Sequence, residues 1–249
     1  PTETFTCYGG LTVGNKTIHC DNNKDHGDVN ITEILQHSCN IGAARIGQRL
    51  GGADLRMMLE RFGICEHLNL KVTSPERMEY YQFGKFNKRS PKGSLTSSDL
   101  PRVSFGHSVV MTPIHLALAY GAIANGGALM EPRIVSKIRT ADGKETIFPP
   151  KKVKDVIRPE VCTQVIGMLR KVVSEGTGRK TAFPFYQVAG KTGTARKYDK
   201  NGPARYTSSF IGFVPAGSDG KPRAVILVMV DEPTQGNLFH GGDVAGPAF

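Results

Sequence analysis

The stretch that decides the fold is Gly190-Lys191-Thr192-Gly193-Thr194-Ala195, inside a segment from Tyr186 to Ala195 that reads as a strand. Strand alternation sets Thr192 and Thr194 on one face, each offering a hydroxyl. Gly193 between them has no side chain, so a ligand or a neighbouring backbone can approach closely. Lys191 adds a positive charge beside both. Two hydroxyls, backbone N–H groups at a sheet edge and an ammonium together form a rim suited to a carboxylate. A solvated strand with a glycine bulge fits the same six residues, so the string takes its meaning from its setting.

Two further strands follow, Ser208 to Val214 and Arg223 to Val230, joined by the turn Gly217-Ser218-Asp219-Gly220. Consecutive strands with a short turn pair antiparallel. Upstream, Pro159 opens a helix with Val161, Val165, Met168, Leu169 and Val172 on one face, stopped at Gly176. Thr112-Pro113 opens another, a cap followed by proline in the first turn, with Leu116, Tyr120 and Ile123 as its stripe. Between these two helices, residues 131–157 read as short strands around Ala141-Asp142-Gly143-Lys144. Nearer the start, residues 8–20 read as a hairpin turning at Gly14-Asn15, and Asn30 with Glu33 forms a capping box. Helices are expected at Ile41–Leu50 and through Leu55, Met58, Leu59 and Phe62, and residues 64–111 read as a long irregular segment. The expected class is α+β: an antiparallel sheet covered by helices, with a mainly helical subdomain.

The chain has 249 residues, a net charge of +10 and an apolar fraction of 39%. That composition suits a globular protein and excludes a disordered one. The longest apolar run, Ala224 to Val230, is too short for a membrane-spanning helix. Five cysteines show no C-x-x-C spacing and seven histidines no H-E-x-x-H, so no zinc motif, other metal site or cofactor is expected. Cys7 and Cys20 flank the hairpin. A disulfide between them needs a bulge at Gly9-Gly10, and two free thiols are the favoured reading.

Ser38-Cys39-Asn40 lies between two helical segments, where serine and asparagine ordinarily act as caps. In order, the chain presents Ser38-Cys39-Asn40-Ile41-Gly42, Phe105-Gly106-His107-Ser108, Met111-Thr112-Pro113, Gly176-Thr177-Gly178, Lys191-Thr192-Gly193-Thr194-Ala195 and Gly246-Pro247-Ala248-Phe249. In that order and spacing the chain resembles the transpeptidase domain of class B penicillin-binding proteins over residues 1–249. The family's motif trio is S-x-x-K, S-x-N and K-T-G. The resemblance implies a β-lactamase/transpeptidase-like fold and a serine enzyme that cross-links peptidoglycan at D-Ala-D-Ala stem peptides and binds β-lactams covalently. It also implies roles. Ser38 relays a proton to the leaving amine, Asn40 holds the substrate and Lys191 supplies the positive field. Thr192, Gly193 and Thr194 bind the terminal carboxylate, with the Thr194 N–H as half of the oxyanion hole.

No Ser-x-x-Lys precedes Ser38. The one match, Ser218-Asp219-Gly220-Lys221, sits in a hairpin turn, the wrong setting for a nucleophile. The expectation is a partial domain, cut at both ends, whose nucleophile and last helix lie outside residues 1–249 and which is inactive alone. The resemblance places its parent at the outer face of the bacterial plasma membrane, anchored by a segment not in this chain and working with cell-wall synthesis partners. A serine β-lactamase or β-lactam sensor is one alternative, for which Glu66-His67-Leu68-Asn69 is one residue short of the class A pattern. A basic binding module is the other. The bases lack interleaved stacking aromatics, so nucleic acid is not the expected partner.

Overall fold

The computed structural model describes residues 2–64, 68, 95, 97–109, 111–197, 204–216, 222–234, 236 and 238–249. The Gly217–Gly220 turn, the Ser218–Lys221 match, Cys65, most of the Glu66–Asn69 string and the basic stretch at 83–94 lie outside them.

The chain opens with β1 (Thr4–Cys7), β2 (Gly10–Val13), β3 (Lys16–His19) and β4 (Gly27–Asn30). β2 and β3 form the expected hairpin, with Val13 opposite Lys16, and the Cys20 N–H donates to the Gly9 carbonyl. β1 pairs instead with β4, Thr4 opposite Asn30 and Cys7 opposite Gly27. Next come α1 (Ile31–His37), α2 (Asn40–Leu50) and α3 (Gly52–Arg61). The capping box is present: the Asn30 side chain accepts from the Glu33 N–H, and the Glu33 carboxylate accepts from the Asn30 N–H.

A short helix, α4 (Leu100–Ser104), interrupts the segment expected to be irregular. Its Pro101 is buried in the first turn, where a missing N–H costs nothing. α5 (Pro113–Ala124) begins as read, with the Thr112 hydroxyl accepting from the His115 N–H. β5 (Ala128–Met130) pairs with β8 (Lys152–Asp155), and β6 (Lys137–Arg139) forms a hairpin with β7 (Glu145–Ile147).

The centre of the molecule is a sheet of β9 (Ala189–Lys197), β10 (Arg205–Val214) and β11 (Ala224–Asp231), with α6 (Pro159–Glu175) packed on β9, α5 on β10 and β11, and α7 (Gly241–Val244) against β9 and β10. The strand order is β11-β10-β9, antiparallel throughout, so β9 forms one edge of this three-stranded sheet among the described residues. β9 starts at Ala189 rather than Tyr186, because Phe185 and Tyr186 stand exposed ahead of it. Leu169, Val172, Ala189, Phe213 and Ala216 form one dry core between α6 and the sheet, joined by Leu35 of α1 and Tyr120 of α5. A second core joins Cys7, Ile18, Cys20, Val29, Ile34, Cys39 and Ile41 beneath the N-terminal strands. α1 touches both cores, so its C-terminal end is held from two sides.

Candidate active site

That end is Ser38. It is the C-cap of α1 at φ 53°, ψ 44°, a left-handed conformation that disfavours a residue with a Cβ. Its N–H turns back to the Ile34 and Leu35 carbonyls, which secures the conformation. Cys39 then caps α2, its sulfur accepting the Gly42 N–H at 3.2 Å. Two helices therefore end and begin around one half-buried corner, which carries the Ser38 hydroxyl.

It meets Lys191. The Lys191 Nζ donates to the Ser38 Oγ across 153 positions of sequence. The same Nζ lies 3.1 Å from the Thr192 carbonyl and 3.2 Å from the Thr192 Oγ1. No carboxylate shares this contact among the described bonds of Lys191. Desolvation of its ammonium therefore goes uncompensated and pushes its pKa down to about 8. At neutral pH it stays mostly charged yet releases its proton far more readily than an exposed lysine.

Thr192 stands between two partners, for its hydroxyl also lies 3.0 Å from that of Thr177. Sequence reading gave Thr177 no role. The signal was its flanking glycines: the backbone at 176–178 runs tight against α1, with the Thr177 N–H donating to the Gln36 carbonyl at 3.1 Å. Gly176 has room there only because it lacks a side chain, since an added Cβ would lie 2.9 Å from the Val172 carbonyl oxygen. The Thr194 hydroxyl accepts from the Gly241 N–H at 3.0 Å, so α7 props the far end of the K-T-G-T ribbon.

The structure thus joins Ser38, Lys191 and Thr192 directly. Gly193 and Thr194 continue the same strand edge. Asn40 is placed differently: its Nδ2 donates to the His19 carbonyl at 3.0 Å, tying the corner to β3.

The sequence of residues 1–249 matches the model of the penicillin binding protein transpeptidase domain from end to end. The chain belongs to the penicillin-binding protein transpeptidase family. It is 32% identical over 250 residues to stage V sporulation protein D of Bacillus subtilis, covering 98% of this chain and 36% of that protein. It is also 32% identical over 244 residues to the probable peptidoglycan D,D-transpeptidase PbpC of Pseudomonas aeruginosa, covering 97% of this chain and 39% of the relative. The chain therefore spans under half the length of these curated relatives. Among solved structures it is similar to penicillin-binding protein 3 of Mycobacterium tuberculosis complexed with ampicillin. The TM-score there is 0.75 at 27% identity, over 94% of this chain and 51% of that one. The fold is accordingly the α+β, β-lactamase-like fold of penicillin-binding transpeptidase domains. None of the described helices is long and apolar enough to cross a membrane.

Proposed function

We propose that residues 1–249 supply the S-x-N and K-T-G walls of a peptidoglycan D,D-transpeptidase site. The substrate is a stem peptide ending in D-Ala-D-Ala. The supporting observation is the contact between Lys191 and Ser38, which unites two motifs no local pattern connects.

In this reading a serine outside these residues, its hydroxyl proton taken by the lysine of the same Ser-x-x-Lys pair, attacks the carbonyl between the two D-alanines. A tetrahedral oxyanion forms, the C–N bond breaks, and the terminal D-alanine leaves as an amine. That nitrogen needs a proton. The Ser38 hydroxyl donates it and is resupplied by the Lys191 ammonium, whose pKa of about 8 suits a donor working near neutrality. Thr192 and Thr194 hold the terminal carboxylate beside the Lys191 charge, and the Thr194 N–H faces the developing oxyanion. Asn40 fixes the corner and binds the peptide with its remaining amide oxygen. An acceptor amine from a second stem peptide then takes the acyl group, restoring the serine. A β-lactam follows the first half of this path and stays attached, because its leaving nitrogen remains tethered in the opened ring. In this reading the parent protein works at the outer face of the plasma membrane, where stem peptides are cross-linked.

No Ser-x-x-Lys precedes Ser38 in these 249 residues, so this reading expects them to be inactive by themselves. The test is covalent labelling with a fluorescent penicillin. The expected result is no label on the 249-residue chain, and labelling of a protein that also carries an upstream Ser-x-x-Lys. Stoichiometric labelling of one serine in the 249-residue chain overturns the reading.

A further inference from the structure

The most unusual chemistry outside the K-T-G site lies on the other side of the same corner. Cys7 ends β1, Cys20 follows β3, His26 precedes β4, and Cys39 caps α2. Their ligand atoms all lie within 4.8 Å of one another. Cys7 Sγ is 3.6 Å from Cys20 Sγ, Cys20 Sγ is 3.7 Å from Cys39 Sγ, and Cys7 Sγ is 3.4 Å from His26 Nδ1. A tetrahedral zinc with Zn–S of about 2.3 Å and Zn–N of about 2.0–2.1 Å has S···S edges of about 3.8 Å and S···N edges of about 3.5 Å. The Cys7–Cys20, Cys20–Cys39 and Cys7–His26 edges match those of that tetrahedron, and the other three pairs lie within 4.8 Å, close enough to draw in around one ion.

We propose that Cys7, Cys20, His26 and Cys39 form a structural zinc site that pins the Ser38-Cys39-Asn40 corner to the N-terminal strands. Cysteines alone also pack as small apolar side chains, and these three are buried in an apolar core. Two features set this cluster apart from packing. An imidazole nitrogen faces the Cys7 sulfur, and a backbone N–H in the first turn of α2 serves a second sulfur, Gly42 donating to Cys39. N–H donors at a helix start stabilise thiolates and orient metal ligands. A Cys3His set is a closed structural pattern, with no position left for substrate.

On binding, three S–H bonds give way to three Zn–S bonds and three protons leave to solvent. His26 stays neutral and coordinates through the Nδ1 lone pair. The site then carries a net charge of −1. Cys39 is the middle residue of the S-x-N motif, so metal occupancy fixes the left-handed turn that aims Ser38.

The test uses the reduced full chain, stripped of metal and titrated with Co(II) and then Zn(II). The expected result is one equivalent of Co(II) with the intense visible bands of a tetrahedral site and a thiolate-to-cobalt charge-transfer band, all bleached by one equivalent of zinc. Zinc also slows amide hydrogen exchange at residues 38–42. His26→Cys retains the site, His26→Ala weakens zinc affinity at least about tenfold, and Cys162→Ala, a buried thiol elsewhere, leaves it unchanged. Weak octahedral cobalt absorption in the wild-type chain overturns the proposal, as does full cobalt binding by Cys39→Ala. A Cys7–Cys20 disulfide that persists in reductant and excludes metal also overturns it. Where a variant fails to fold, the wild-type spectrum decides. Because no readout here depends on acylation, this test fails or succeeds independently of the transpeptidase reading.

Discussion

The two cores that meet at Ser38 are built from different materials. The buried residues of the α6–sheet core all have hydrocarbon side chains, with Phe213 and Val172 fully buried and Leu169 nearly so, and the phenol of Tyr120 packs at its border. The N-terminal core mixes isoleucine and valine with three thiols and an imidazole at its rim. The first holds by excluded water, which acts without direction. The second contains groups whose distances and angles matter. Joining them is Lys191, which reaches from the sheet edge to the corner. The lesson is a division of labour: the dry core sets the sheet in place, and the polar corner sets the angle of one hydroxyl.

That contrast can be broken most directly at Phe213, which packs on Tyr120 with ring centroids 5.6 Å apart. Phe213→Ala should lower unfolding free energy by about 3–5 kcal/mol in urea denaturation. A loss under about 1 kcal/mol would show that the sheet core is not the main support. Next in size comes the bridge. In the parent carrying its nucleophile, Lys191→Ala should slow penicillin acylation by about 10²–10⁴-fold with little change in melting temperature. A large stability loss with acylation preserved would recast Lys191 as a strut.

The pH profile sharpens the same point. Burial lowers the Lys191 pKa to about 8 from an ordinary 10.5. Between those values the unfolded chain holds a proton that the folded chain has released. The contribution of this group to stability therefore rises as pH climbs from about 8 toward 10.5, and is unfavourable below. Acylation should move the opposite way, falling above about pH 8 as the proton donor is lost. Lys191→Ala should abolish both trends, read by thermal melts and by stopped-flow labelling across the range. The smallest effect belongs to the start of α1: Asn30→Ala removes half of the capping box and should cost about 1 kcal/mol by denaturant titration. A neutral result would mean that α1 is held by its two cores alone.

Local chemistry was legible wherever it was complete within a few residues. Asn30 with Glu33, Thr112 with Pro113, and Pro159 with Gly176 each mark a helix end through groups that touch their near neighbours. α4 escaped because five residues are too few for a periodic stripe. β4 escaped because its partner β1 lies at the far side of the hairpin. Thr177 was visible only as the centre of Gly-Thr-Gly, with nothing to say that Thr192 would face it. The cysteines were judged by spacing, and short C-x-x-C spacing is only one way to gather thiols. Here a hairpin and two helix ends do so, with Cys7 and Cys20 separated by 13 positions and Cys20 and Cys39 by 19.

By itself the amino-acid order determined the longer helices and the caps at Asn30 and Thr112, the antiparallel ribbon, the face shared by Thr192 and Thr194, and the family resemblance. These depend on periodicity and on hydrogen bonds between near neighbours. Only the tertiary structure decided that Lys191 meets Ser38, that Asn40 turns to His19, and that three sulfurs and an imidazole share one corner. Such encounters depend on how whole elements pack against two cores, and apolar packing leaves no mark in the spacing of the polar residues it brings together.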